Sequence, residues 1–171
     1  MRTHVVLAMH GSPPNDFPRR ELGEFFALHS KVESGTPLEN EVRARYQDLE
    51  GRIRNWPRDG GNDPFHSGSM RLASEIGREL EMPVIVGFNE FCAPDLATAF
   101  EQAVGQRAER VIVVTPMLTR GGGHSEDEIP QAIEAARRKH PEVAFHYAWP
   151  IGEPEVARFL ADQVRATLAA G

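Results

Sequence analysis

Residues 111–130 read VIVVTPMLTRGGGHSEDEIP. The run opens on β-branched apolar residues, as a buried strand does, passes through a glycine-rich loop to His124, and then starts a helix. Ser125 followed three residues later by Glu128 predicts a capping box, with Glu126 and Asp127 in a helix first turn and an end near His140, before Pro141. The stretch therefore delivers an imidazole to the end of a strand. Residues 3–9 (THVVLAM) do the same for His10, with Gly11 and Ser12 behind it. Two histidines that follow two buried strands meet in one crevice if those strands are parallel neighbours.

Two further apolar runs, 83–88 (PVIVGF) and 143–148 (VAFHYA), join 3–9 and 110–115 as expected strands. None alternates cleanly with polar residues, which suits a parallel sheet covered on both faces. Helical spacing fills the gaps at 67–81 (Met70, Ala73, Ile76, Leu80), at 94–105 opening on Pro94, and at about 153–169 (Val156, Phe159, Leu160, Val164). Strands alternating with helices predict an α/β fold, a three-layer sandwich around a four-stranded parallel sheet. One connection is too long: about 55 residues separate the first strand from the helix at 67. Leu22, Phe25, Phe26 and Val32 mark one amphipathic helix there, and Val42, Tyr46, Leu49 and Ile53 another. We read residues 1–171 as one domain with an insertion at about 13–65, a helical pair that serves as lid, pocket wall or dimer contact.

The formal net charge of −6 argues against nucleic-acid and membrane-surface partners. The lone Cys92 excludes an internal disulfide and a cysteine-cluster zinc site. No apolar run is long enough to span a bilayer, and the N-terminus shows no signal-peptide pattern, so the expectation is a cytoplasmic enzyme or binding protein.

Ligands of open parallel sheets bind outside the carboxyl ends of the strands. His10, Glu90 and His124 all follow strands there. Two imidazoles and one carboxylate suit a divalent first-row metal with positions left for exchange, and neutral imidazole does not choose among cobalt, iron, nickel and zinc. Each residue also has a plain reading, as a loop hydrogen-bonder, a solvated charge or a residue before a helix cap. Gly121, Gly122 and Gly123 offer backbone amides to an anion, although the lysine and hydroxyl of a phosphate loop are missing. Ser12 lacks the context of a nucleophile elbow. Cys92 reads first as a small core residue. His29, His66, His140 and His146 read as structural or solvated, with His66 held in reserve because it closes the insertion.

The segments HGS (10–12), GFNEFCAPDL (87–96) and the 111–130 run together resemble the small class II tetrapyrrole chelatases, the CbiX-type sirohydrochlorin chelatases. The likeness covers residues 1–12 and about 67–168; the shortest members lack the insertion, and Ala93 stands where many relatives carry an acid. It implies a chelatase-like half that inserts cobalt or iron into sirohydrochlorin, in cobalamin or siroheme biosynthesis. His10 and His124 would carry the metal and accept pyrrole protons, with Glu90 as ligand or base. Arg120, Ser12 and the glycines 121–123 would meet the substrate's carboxylates. It implies a homodimer, a metal as substrate (Co²⁺ or Fe²⁺, with Ni²⁺ as a third choice) and no organic cofactor. The alternatives are another metal–tetrapyrrole pair, nickel with sirohydrochlorin or iron with a porphyrin, and a non-catalytic metal or tetrapyrrole carrier. A metal-dependent hydrolase would need a denser Asp/His set.

Overall fold

The computed structural model describes residues 1–171. Its elements run β1 (Thr3–Met9), α1 (Arg19–Glu33), α2 (Asn40–Arg54), α3 (Pro64–Leu80), β2 (Val84–Phe88), α4 (Leu96–Gly105), β3 (Arg110–Val114), a π-helical turn (His124–Glu128), α5 (Ile129–Lys139), β4 (Ala144–Tyr147) and α6 (Glu153–Ala170). All strands are parallel, in the order β2-β1-β3-β4. The α/β fold with a four-stranded parallel sheet is as the sequence predicts. β1 lies centrally, with Met9 opposite Phe88 on one side and Leu7 opposite Val114 on the other.

Alternate residues of β1 serve opposite faces. Val6 and Ala8 pack with Val111, Val113 and Phe145 under Leu96 and Phe100 of α4 and Ile129 and Ile133 of α5. Leu7 and Met9 pack with Val86, Phe88 and Cys92 under Ala73 of α3. Each fully buried side chain of this size contributes about 1.5–3 kcal/mol relative to exposure. The second face is covered only in part. Ile112 and Val114 are half-buried, Ala144 and His146 are exposed, and α6 buries none of its residues.

The helix starts correct the sequence expectations. α3 begins at Pro64 rather than 67, because the buried Asp63 caps it through a bond from the His66 amide at 2.8 Å and Pro64 takes the first turn. α4 begins at Leu96, with Asp95 accepting from the Thr98 amide at 2.8 Å, so Pro94 precedes the helix instead of opening it. The capping box at Ser125 does not form. The Ser125 hydroxyl donates to the Gly122 carbonyl at 3.1 Å, and residues 124–128 wind as a π turn closed by the Ile129 amide on the His124 carbonyl. On α3, Ala73 is buried, whereas Met70 and Leu80 are exposed.

The insertion has its own small core of Phe17, Phe25, Leu49 and Ile53, against which Leu22, Tyr46, Trp56 and Phe91 pack. Phe91 belongs to the loop after β2, so the insertion closes directly on the sheet edge. No helix is long and apolar enough to cross a membrane.

Candidate metal centre

Backbone bonds carry the β1–β2 pairing past the last strand residues. The Asn89 amide donates to the Met9 carbonyl and the Glu90 amide to the His10 carbonyl, each at 2.8 Å. These two bonds hold Glu90 against His10. Gly11 allows it: at φ +108° a Cβ there would lie 1.8 Å from the Glu90 carbonyl oxygen, so only glycine fits. His124 arrives from β3 on the π turn, its loop tied down by Tyr147 donating to the Ser125 carbonyl at 3.1 Å and Trp149 Nε1 donating to the Met117 carbonyl at 2.9 Å.

The three residues converge. Glu90 Oε2 lies 3.8 Å from His10 Nδ1 and 3.9 Å from His124 Nε2. The imidazole rings meet edge to face with centroids 4.5 Å apart. One ligand atom from each of His10, Glu90 and His124 falls within 4.8 Å of the other two. His10 Nδ1 lies 3.1 Å from the Gly11 carbonyl, which can only accept, so Nδ1 carries the proton and Nε2 keeps a lone pair for a metal or a proton. His124 Nδ1 faces Glu128 Oε2 at 2.8 Å, and the side-chain Nδ2 of Asn89 donates to the same carboxylate at 3.5 Å. Glu128 thus stands at one ring nitrogen of His124 and Glu90 at the other. The side chains of Glu90 and His124 are mostly covered, and His10 is about half open at 47%, so a flat molecule can reach it.

The rim residues behave differently. The Gly121 amide donates to Glu126 Oε1 at 3.0 Å, and Arg120 Nε lies 3.3 Å from the same oxygen while its guanidinium stacks over Trp149. The Gly121 amide, then Arg120, hold the Glu126 carboxyl below its usual range. The loop's own carboxylate thus takes the place of the expected anion. Gly122 and Gly123 are exposed beside it. The Ser12 hydroxyl donates to the neighbouring Pro13 carbonyl at 3.3 Å.

The reserve candidates stay outside the centre. His66 stacks on Phe88 with centroids 5.3 Å apart, and burial holds it below the ordinary imidazole range. Cys92 is fully buried and its thiol is pushed up by that burial, so it remains a protonated core residue.

Sequence reasoning missed four groups. Arg58 and Asp63, in the connection between α2 and α3, form a buried ion pair. Arg58 also donates to the carbonyls of Ser12 and Ile53 at 2.9 Å each and to that of Phe91, joining the insertion to the loops after β1 and β2. Phe91 stacks near His10 with centroids 6.3 Å apart and packs edge to face on Phe25, Phe26 and His29. His29, expected to be structural, places Nε2 3.8 Å from Glu90 Oε1. The available signal was the helical period of the insertion, which puts Phe25, Phe26 and His29 on neighbouring positions of one helix face.

An open parallel sheet with an imidazole–carboxylate–imidazole cluster at its carboxyl edge defines an α/β protein with a metal-competent centre. The CbiX family model matches residues 61–167, and the chain belongs to the CbiX family. Over 100 residues the chain is 32% identical to the sirohydrochlorin cobaltochelatase of Priestia megaterium, covering 57% of this chain and 32% of that protein. Over 92 residues it is 28% identical to the sirohydrochlorin ferrochelatase of the same organism, covering 53% of this chain and 34% of that protein. The chain thus matches about a third of the length of these curated relatives. The crystal structure of a CbiX protein of cobalamin (vitamin B12) biosynthesis from Marinobacter aquaeolei VT8 shares the fold, with a TM-score of 0.58 and 20% identity over 99% of both chains.

Proposed function

We propose that this protein inserts a divalent metal ion into a tetrapyrrole of the sirohydrochlorin type, with His10, Glu90 and His124 holding the metal and taking up the displaced protons. The observation that carries this reading is the convergence of those three side chains, with donors within 4.8 Å of one another, at the strand ends of a CbiX-family sheet. A metal that is a substrate must be held by few, exchangeable ligands, and two imidazoles with one carboxylate meet that need. Insertion forms metal–nitrogen bonds as pyrrole N–H bonds break, so the macrocycle releases a proton for each N–H lost. The Nε2 lone pair of His10 and a Glu90 oxygen would take up such protons. Arg120, Ser12 and the amides of Gly121, Gly122 and Gly123 would bind the substrate's carboxylates, displacing Glu126 from Arg120 and Gly121.

Cobalt and iron are the metals of the curated relatives, and both fit a site of this ligand set; nickel is the third candidate. We further infer a homodimer. The support is α6, whose apolar residues Phe159, Leu160, Val164 and Leu168 are 51–76% exposed while part of one sheet face stays open.

The test is insertion into sirohydrochlorin followed by its absorbance change, with Co²⁺, Fe²⁺ and Ni²⁺ in parallel. The purified protein is expected to exceed the uncatalysed rate with at least one metal, and His124→Ala to lower that rate by at least about a hundredfold, the scale of a lost general base. Tight tetrapyrrole binding with no acceleration by any metal would identify a carrier instead. Retained activity in the folded His124→Ala variant would refute the site.

A further inference from the structure

Glu90 presents its two oxygens to two different groups. Oε2 faces His10 and His124, whereas Oε1 faces His29 Nε2 at 3.8 Å. One helical turn further along α1, Glu33 Oε1 lies 3.4 Å from the same His29 nitrogen. Ligand atoms of His29, Glu33 and Glu90 all fall within 4.8 Å of one another. The insertion thus builds a second set of donors on the far side of the shared carboxylate.

The His29 ring is held for such a role. It stacks on Phe25 at 5.3 Å between centroids and on Tyr46 at 6.1 Å. Its Nδ1 lies 3.0 Å from the Tyr46 hydroxyl. With the Nδ1 proton given to that oxygen, the Nε2 lone pair points at the two carboxylates, the arrangement that outer hydrogen bonds impose on metal-binding histidines. One imidazole and two carboxylates form a mixed nitrogen–oxygen set suited to a divalent first-row cation. Access is graded: the Glu33 side chain is 64% exposed, and those of His29 and Glu90 are 20% and 19% exposed.

We propose that His29, Glu33 and Glu90 form an outer divalent-cation site that shares Glu90 with the inner His10–Glu90–His124 site. The proposal rests on the metal-holding reading of the inner site. An ion reaching the protein from the insertion side meets Glu33 first. Once bound there it is already ligated by Glu90, and successive ligand exchanges at that carboxylate carry it to the imidazoles of the inner site.

The experiment is calorimetric titration of chelator-stripped protein with Co²⁺ alone. Two ions per chain are expected for the wild type. One ion is expected for Glu33→Gln and for His29→Ala, and one for the double variant His10→Ala/His124→Ala. A single ion in the wild type, lost in the double variant and untouched by Glu33→Gln and His29→Ala, would overturn the outer site. So would two ions retained in both outer variants. Glu33 is exposed, so its variant carries the test even where His29→Ala disturbs the packing of α1. Stoichiometry is read without tetrapyrrole. Absence of turnover in the wild type therefore counts against the chelatase reading, whereas loss of the second ion alone counts against the outer site.

Discussion

At the residue scale, Arg58 holds the centre's surroundings together. Its guanidinium is about as buried as the carboxylate it faces, with 5% exposure against 1% for Asp63, and its two terminal nitrogens also donate to the carbonyls of Ser12, Ile53 and Phe91, while Nε has no partner. Asp63 in turn caps α3. Removing the arginine leaves the buried Asp63 carboxylate without its counter-ion and takes a donor from each of three carbonyls. Arg58→Ala is expected to lower unfolding free energy by about 3–5 kcal/mol, as breaking buried pairs does, checked by urea denaturation. A loss below about 1 kcal/mol, the worth of an exposed pair, would show that water replaces the guanidinium. Neither Arg58 nor Asp63 was singled out in the sequence, because nothing local marks the distant Ser12 and Phe91 carbonyls that Arg58 reaches. His10 and Glu90 were legible for the opposite reason: they stand one and two residues beyond apolar strands, so strand geometry carries them to the sheet edge, whereas His124 also needs the loop that Tyr147 and Trp149 tie down.

At the element scale, α3 ties the insertion to the sheet through its first turn. His66 lies there, stacked on Phe88, with burial pushing its pKa down and the carboxylate of Asp63 only partly opposing that shift. A histidine with a lowered folded pKa binds fewer protons folded than unfolded. Its effect is absent above the ordinary value near 6.5, and it costs stability as pH falls through that value toward the lowered one. The urea midpoint of the wild type is therefore expected to fall more steeply between pH 7 and pH 5 than that of His66→Gln. Equal slopes would mean that the folded protein protonates His66 freely. The same helix shows where local signals stop. Periodicity located α3 and its packing residue Ala73, but the start was misplaced, because the cap depends on Asp63 being held by Arg58. The π turn at 124–128 was also unreadable, since Ser125 and Glu128 satisfy a capping-box pattern whose bonds are taken instead by Gly122 and by contact with His124.

At the scale of the whole molecule, the unpartnered part is α6 with the sheet face beside β3 and β4. An amphipathic helix exposing Phe159, Leu160, Val164 and Leu168 at 51–76% is costly in water, at roughly 25 cal/mol for each Å² of apolar surface. A second copy burying these stripes relieves that cost. Light scattering is expected to give twice the chain mass for the wild type and the chain mass for Leu160→Glu/Val164→Glu. Both substitutions fall on exposed side chains of a helix that buries none of its residues, so helical content should persist. A wild type that stays at the chain mass at working concentration would contradict the pairing.

The sequence by itself determined the alternation of strands and helices, the parallel sheet, and which three side chains stand at its carboxyl edge. Those properties follow from hydrophobic period and from chain order, both of which are local. Tertiary structure alone decided what surrounds them. The Glu90 carboxylate facing His29 as well as His10 and His124, and the Arg58 tie to the Ser12 and Phe91 carbonyls, depend on where a 15-residue helix of the insertion comes to rest and how two loops fold back. Such placements are set by packing between segments far apart in the chain, through Phe25, Phe91 and Tyr46, and no period along the sequence encodes them.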